Sequence, residues 1–330
     1  MRIDVIVNTT ARRYRATPSL LPRVADACAG RAELHPTASL VELDALCRRL
    51  AERGTDLVVL SGGDGSFMAG VTALAAAFEG RGSALPRLTL IPGGTAATVA
   101  RNWGMKGDPA DLLNRILRQA ESDAALEGST EARPTLRVRA TTGQGVEERI
   151  GFIFGTGLVA KFFDVYYEDG GRGYGAAARI VSRIFVESFF DGAYARRVLD
   201  PLPCTVEVEG RALEPRAWSL ICAAVIPNLG IQMRVTYRAG EDLARPHLVA
   251  SPLSSRQLGP RAPLVLAGKR IGGEGHFDDL VGKFRVRFGD AGAPSPESGP
   301  YVLDGDILRA REVLVSAGPP IRVLRLPDRS

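Results

Sequence analysis

A chain of 330 residues, 45% hydrophobic and 24% charged, can bury a substantial core and is long enough for two domains. No apolar run approaches the ~20 residues of a membrane span, and Arg2 and Asp4 interrupt the amino terminus where a secretory signal needs apolar residues, so a soluble cytoplasmic protein is expected. The net charge of +5 favours anionic partners, but aromatics at 6% and the lack of a nucleic-acid motif put nucleic acid last among them, after nucleotides and acidic membrane surfaces.

In chain order, the apolar periodicity predicts a strand over residues 3–7, a helix over 20–29, a strand over 32–35, a helix over 39–51 and a strand over 57–60. A loop and helix follow, then a strand over 88–91 and helices over 96–103 and 109–122. This alternation predicts a doubly wound α/β layer structure, assigned to residues 1–130. The polar stretch 121–134 breaks the pattern. Over residues 131–330 the period is that of strands, at 135–140, 148–154, 204–209, 216–224, 232–237, 284–288 and 313–315, with one helical stretch over 174–197. Short strands punctuated by Gly and Pro predict a β-rich, sandwich-like second domain, with a cleft between it and the first. Cys28, Cys47, Cys204 and Cys222 form no C-x-x-C pair and read as reduced, buried thiols.

Leu60-Ser61-Gly62-Gly63-Asp64-Gly65-Ser66 follows the apolar run Leu57-Val58-Val59 and precedes Phe67, Val71, Leu74 and Phe78 at helical spacing. The glycines therefore lie between a strand end and a helix start. Unpaired backbone N–H groups there suit an anion, and a missing Cβ lets a phosphate approach. Asp64 would repel a phosphate unless a cation or a transferable proton lay between them, which points to Mg²⁺ or a substrate hydroxyl. The plainer alternative is a glycine turn with Asp64 as a helix cap. A second unit, Leu88-Thr89-Leu90-Ile91 running into Pro92-Gly93-Gly94-Thr95 and a helix, favours the ligand site, because parallel strands open their carboxyl ends onto one cleft.

Gly62-Gly63-Asp64-Gly65-Ser66 resembles the GGDGT motif of the diacylglycerol kinase catalytic-domain superfamily. That group takes in bacterial diacylglycerol kinases, ceramide and sphingosine kinases and, more distantly, NAD kinases. Pro92-Gly93-Gly94-Thr95-Ala96-Ala97-Thr98-Val99-Ala100-Arg101 is similar to its P-L-G-T-x-N-D-F-A-R segment. Asn8-Thr9-Thr10-Ala11-Arg12 stands where the group carries N-P-x-S-G, Thr37 matches a nucleotide-contacting threonine, and Leu303-Asp304-Gly305-Asp306 resembles D-G-E. The resemblance implies ATP held by Asn8, Thr9, Thr10, Ala11, Arg12, Thr37, Gly62, Gly63, Asp64, Gly65, Ser66, Gly94 and Thr95, with Mg²⁺ reached through Asp64. It implies a lipid acceptor and a cytoplasmic protein peripherally associated with the inner face of an anionic membrane. It also has residues 321–326 returning to the first domain, and leaves a homodimer open.

The sequence departs from the group in several places. Ala97-Thr98 replaces Asn-Asp, Met68-Ala69 replaces the Asn-Glu that often follows GGDGT, Thr9 replaces proline, and D-G-E is D-G-D. Some bacterial members hold a structural magnesium in a D-x-x-L-D-type segment; the corresponding Ala244-Arg245-Pro246-His247-Leu248 lacks the carboxylates, so no such metal is expected. Gly155-Thr156-Gly157-Leu158-Val159-Ala160 matches G-x-G-x-x-A without the acidic residue a dinucleotide site needs downstream, and resembles the group's G-I-G-F-D segment. His35, His247 and His276 are scattered and read as structural or surface residues.

Over 174–197, Ala177, Ile180, Val181, Ile184, Phe185, Val186, Phe189 and Phe190 recur at helical spacing with Arg179, Arg183, Arg196 and Arg197 among them. Such a face is either core or an acyl-chain wall lined by Ile180, Ile184, Phe185 and Phe189, with Arg179 and Arg183 at a membrane-facing rim. The expected reaction is phosphoryl transfer from ATP to a lipid hydroxyl, of diacylglycerol, ceramide or a similar lipid. The bacterial pattern places the base at Asp306, with Asp304 beside it; the sphingosine-kinase pattern places it at Asp64. Asp306 is favoured as base and Asp64 as metal or nucleotide organiser. A D-G hairpin turn would explain Asp304-Gly305-Asp306 without chemistry. An NAD-kinase-like enzyme and a catalytically inactive lipid- or nucleotide-binding protein are the alternatives.

Overall fold

The computed structural model of the protein describes residues 1–94, 97–168, 170, 174–289 and 298–326. Two compact units are present: Met1–Arg133 with the C-terminal segment from Pro320, and Pro134–Pro319.

The first unit contains β1 (Ile3–Asn8), α1 (Arg12–Ala16), α2 (Leu20–Cys28), β2 (Glu33–Thr37), α3 (Leu40–Arg53), β3 (Leu57–Gly62), α4 (Asp64–Glu79), β4 (Arg87–Pro92), α5 (Thr98–Asn102), α6 (Pro109–Gln119), α7 (Asp123–Gly128) and β5 (Thr130–Arg133). The chain's last strand, Ile321–Leu324, joins the same sheet, pairing parallel with β4 and antiparallel with β5. The order is β2-β1-β3-β4, the last strand, then β5. The central strands are mostly apolar and buried at nearly every position, as parallel strands between helix layers are. Val5, Val7, Leu57, Val59 and Ile91 share one core with Leu20 and Val24 of α2 and Leu112, Leu113 and Ile116 of α6. Against β3, Gly70 of α4 lies over Leu60, where an added Cβ would come within 2.9 Å of Leu60 Cδ1. Local signals fix the helix starts. Ser39 Oγ accepts from Glu42 N–H (3.2 Å) while the Glu42 carboxylate accepts from Ala38 N–H (2.7 Å), and Asp108 caps α6 ahead of Pro109. At the amino-terminal end of the sheet, Asp4 is buried and pairs with His35 (2.7 Å) and Arg53.

The second unit contains β6 (Leu136–Thr142), β7 (Gly145–Gly151), β8 (Ile153–Gly157), α8 (Leu158–Glu168), α9 (Tyr174–Ser188), α10 (Ala193–Leu199), β9 (Leu202–Val208), β10 (Arg211–Ala212), β11 (Ala217–Trp218), β12 (Leu220–Ala224), β13 (His247–Ser251), α11 (Ser255–Leu258), α12 (Ala262–Leu266), β14 (Phe277–Leu280), β15 (Lys283–Phe288), β16 (Gly299–Leu303), β17 (Asp306–Ala310) and β18 (Glu312–Ala317). It has two antiparallel sheets, β10-β9-β15-β18-β6-β7 with β11 on β9, and β14-β13-β12-β8-β16-β17. They share a core: the Phe154 ring of β8 meets Phe284 of β15 edge-on at 5.6 Å and stacks on Tyr301 of β16 at 5.9 Å. Helices α8 to α10 cover the second sheet, with Val165, Ile180, Ile184, Val198 and Leu199 packed against Leu220, Cys222 and Val249.

The doubly wound and β-rich layers match the sequence expectation, and the terminal strand returns to the first sheet. Several elements differ. The strand expected over 148–154 is two strands in different sheets, broken at Phe152. Residues 232–237 form turns, entered through Ile231 and Gln232 with φ of +42° and +62°. The helical stretch over 174–197 is interrupted by Asp191 (φ +54°) and Gly192. The G-x-G-x-x-A match hides the start of α8. All four cysteines are buried and unpaired; burial pushes the Cys47, Cys204 and Cys222 thiols up to about 12 and Cys28 to about 11. Among the described residues, no helix is long and apolar enough to cross a membrane.

Candidate active site

From β1 the chain crosses to β2 on one side, and from β3 to β4 on the other. The strand order therefore reverses between β1 and β3, and the carboxyl ends of those two strands are where open α/β sheets take ligands. Two of the expected nucleotide residues meet there: Asn8 Nδ2 donates to Ser66 Oγ at 2.8 Å. Asn8 Oδ1 accepts from the Thr10 amide (2.9 Å) and hydroxyl (2.7 Å), which closes the first loop on itself. Thr9 donates its amide and hydroxyl to the Thr37 carbonyl (3.0 and 3.1 Å). Thr37 thus holds the loop through its backbone; its own hydroxyl is buried and reaches Val7 O at 3.4 Å. Ala11 is buried beneath the loop, and Arg12 is exposed.

The two glycine loops touch backbone to backbone. Gly93 N–H and Gly94 N–H both donate to Gly62 O (2.7 and 2.9 Å), and a Cβ on Gly94 would lie 2.5 Å from Gly63 Cα. Gly63 N–H donates to Ser66 Oγ (3.3 Å) as α4 begins, and Gly65 lies in its first turn. That end of a 16-residue helix presents the positive pole of its dipole. Thr95 lies outside the described residues.

Asp64, the first residue of α4, turns its carboxylate to α5. Oδ2 accepts from Thr98 N–H (2.8 Å) and Oδ1 from Val99 N–H (2.9 Å). It is therefore a cap, of a helix 34 residues further on rather than of its own. Ala97, just before α5, has φ +46° and ψ +52°, a left-handed conformation that costs an alanine about 1–2 kcal/mol and suits Gly or Asn. Burial pushes the Asp64 carboxyl above the usual range, although the Val99 and Thr98 hydrogen bonds and the Arg101 charge pull against it. The Thr98 side chain bonds the carboxylate as well, so Mg²⁺ would have to use the lone pair that remains, in its ordinary mode of one carboxylate together with substrate phosphates.

In the second unit, Leu303 pairs with Asp306 across a two-residue turn whose residues Asp304 and Gly305 have φ of +50° and +93°. Two positive φ values make it the tight primed hairpin turn that D-G favours. The two aspartates do different things. Asp304 is buried, and its carboxylate accepts from Phe152 N–H (2.9 Å) and Ile153 N–H (3.0 Å), which binds the turn to the break between β7 and β8. Asp306 reaches solvent at the start of β17. Its surroundings still desolvate the carboxyl enough to raise it above the usual range, with the Arg149 charge pulling it back. Tyr167 of α8 donates its hydroxyl to Gly305 O at 3.2 Å.

Residues 2–126 match the family model of the diacylglycerol kinase catalytic domain. This is the group that the motifs resemble. The whole chain is similar in fold to a diacylglycerol kinase from Bacillus anthracis str. Sterne, with a TM-score of 0.60 at 14% identity, covering 99% of this chain and 97% of that one. A second structure, of a proposed diacylglycerol kinase from the same strain, gives 0.65 at 15% identity with the same coverage. At such identities the likeness shows the fold alone. No curated protein matches the chain.

Two further residues of the first unit brace the glycine loops. Arg13 donates its amide to Gly93 O (3.0 Å) and its guanidinium to Pro92 O (3.1 Å) and Gly107 O (3.0 Å). Tyr14 is buried and shares a 2.6 Å hydrogen bond with Ser61. Neither belongs to a spacing pattern that could have marked it.

The residues expected to line an acyl-chain wall divide between core and surface. Ile180 and Ile184, 3% and 8% exposed, are spent on the core of the second unit. Phe185 is half-buried and meets Phe189 edge-on at 5.1 Å, while Val186, Phe189 and Phe190 are exposed. Arg183 pairs with Glu187 (2.8 Å) and lies 3.9 Å from the Tyr194 ring centre; Arg179 is exposed. The histidines are less scattered than their spacing suggests. His247 Nε2 lies 2.8 Å from one Asp278 oxygen and His276 Nε2 lies 3.5 Å from the other, all three side chains buried.

Proposed function

We propose that the protein is a lipid kinase that moves the γ-phosphoryl group of ATP, with Mg²⁺, to a hydroxyl of diacylglycerol, ceramide or a similar lipid at an anionic membrane surface. The observation that carries this reading is the hydrogen bond from Asn8 to Ser66 at the point where the strand order reverses, beside two mutually packed glycine loops. It unites three motif positions far apart in sequence at the place where this architecture takes ligands. Asn8, Thr10, Ser66 and the amino-terminal turn of α4 would hold the phosphates, with Asp64 to receive Mg²⁺. Bound there with the nucleotide, Mg²⁺ would supply positive charge to the phosphate oxygens.

Asp306 is the base in this reading. It reaches solvent, whereas Asp304 has both oxygens committed to backbone amides. As the lipid oxygen bonds to the γ-phosphorus and the bond to the ADP oxygen breaks, the hydroxyl proton passes to an Asp306 oxygen. A carboxyl held above the usual range is a better proton acceptor than an ordinary aspartate.

One observation favours a second reading, a nucleotide- or lipid-binding protein without turnover: Asp64 spends a bond from each oxygen on α5, and Ala97-Thr98 replaces the family's Asn-Asp. A single assay separates these. Labelled ATP and MgCl₂ are offered with dioleoylglycerol, ceramide and sphingosine in mixed micelles, and with NAD. Label in a lipid supports the proposal. Label in NAD, or ATP binding without transfer, overturns it.

A further inference from the structure

Asp306 is held by a turn that has no side chain of its own to fix it outward: Asp304 ties the turn down, and Gly305 is the flexible half. The Tyr167 hydroxyl donates to the Gly305 carbonyl, in that half, at 3.2 Å. Tyr167 is 54% exposed, yet its ring is held by its neighbours. Phe163, one helical turn earlier, lies 6.0 Å away, and Tyr166 meets it edge-on at 5.5 Å. Two further ring contacts, Phe162 with Phe163 (5.7 Å) and with Tyr166 (6.1 Å), extend the aromatic group along α8. The ring is therefore pre-set, and the hydroxyl is delivered to one point on the turn.

We propose that Tyr167 is the positioning residue for Asp306, fixing the Gly305 peptide so that the Asp306 carboxylate is presented in one orientation to the acceptor hydroxyl. The inference rests on the reading of Asp306 as base. Burial, and the Asp306 charge next to it, hold the Tyr167 hydroxyl above its ordinary range, which favours its protonated, donor form. The Asp306 charge acts on the Tyr167 hydroxyl, so the two are near neighbours, and in this proposal the ring contributes to the desolvation that raises Asp306.

The test uses the full chain with ATP, MgCl₂ and dioleoylglycerol micelles, and three variants. Asp306→Asn tests the base itself and should lower kcat about a hundredfold or more. Tyr167→Phe keeps the ring and removes the bond; kcat should fall about two- to tenfold, the worth of one neutral hydrogen bond, with KM for ATP unchanged. Tyr167→Ala also admits water, so the acidic limb of the kcat–pH profile should move to lower pH. The Asp306 carboxyl titration, followed by carbon NMR and assigned with Asp306→Asn, should move the same way, and this readout needs no turnover. An active Asp306→Asn sinks the base and leaves the Tyr167 contact without a task. An inactive Asp306→Asn beside a Tyr167→Phe with wild-type kcat, or an Asp306 titration unmoved in Tyr167→Ala, overturns the positioning role alone.

Discussion

Removing the Asp64 carboxylate should loosen the second glycine loop before it affects anything else. The perturbation is local: the Thr98 and Val99 amides, 2.8 and 2.9 Å away, lose their acceptors at the start of a five-residue helix. A hydrogen bond to a charged group contributes about 1.5–3 kcal/mol, and a lost helix cap costs about 1 kcal/mol. Relief of the desolvated charge offsets part of this, since burial already pushes the carboxyl up. Asp64→Ala should therefore cost about 2–3 kcal/mol, and Asp64→Asn, which keeps one acceptor, about 1–2. Urea titration gives the size, and hydrogen exchange at the Thr98 and Val99 amides gives the place. The sign with pH follows from the raised carboxyl. Between the ordinary 3.8 and its higher folded value, the folded state binds the proton more tightly than the unfolded state. Stability from this group falls as pH rises through that window, so the wild type's advantage over Asp64→Asn should be larger at its acidic end. Unchanged exchange at both amides, with unchanged urea midpoints, would refute the capping role. Turnover lost in these variants would then belong to chemistry alone, which is the reason to measure stability first.

Ala97→Asn should stabilise the protein by up to about 1 kcal/mol by relieving a left-handed alanine; a lower melting temperature would deny the strain. Ile184→Asp should unfold the second unit, at a cost of about 4 kcal/mol or more for an unpaired charge in the core, whereas Ile184→Ala should cost about 2–4; a folded Ile184→Asp would put that side chain elsewhere. Burial works to raise Asp278, but hydrogen bonds from His247 and His276 and their charge outweigh it and hold the group far below 3.8. Its stabilisation is therefore present above pH ~3.8 and lost as pH falls through the depressed folded value, so His247→Gln should move the acid-unfolding midpoint upward; an unmoved midpoint would mean the pair contributes nothing.

The parallel sheet was legible because buried strands carry their own signal. Residues 57–60 are apolar at every position and 88–91 at all but Thr89, all of them buried, and each run leads into a glycine loop. The second unit was harder. Phe152 sits in a run that reads as one strand, but the chain leaves one sheet and enters another there, held by two amides donated to Asp304 from 152 and 151 residues apart. Nothing local records that tie. Residues 232–237 carry β-branched residues, which suit a strand, but the positive φ at Ile231 and Gln232 shows that tertiary packing overrode the preference.

The candidate site divides along the same line. What rests on backbone conformation could be read: Asp304-Gly305 as a primed turn, Gly62 to Ser66 as a strand-to-helix turn. What rests on a partner far away in the chain could not. The glycines of the two loops illustrate why motif and mechanism are separate questions. Gly94 is required because a Cβ there would lie 2.5 Å from Gly63 Cα, a reason that holds whether or not a phosphate ever approaches. The same holds for Asp64, whose carboxylate has structural work beside any chemical one. An aspartate and glycines in this spacing are thus strong evidence for the fold of the loop pair and weaker evidence for catalysis. The discriminating weight falls on groups the loop pair does not need for its own packing, foremost the solvent-reaching Asp306, whose neighbour Asp304 already accounts for the turn.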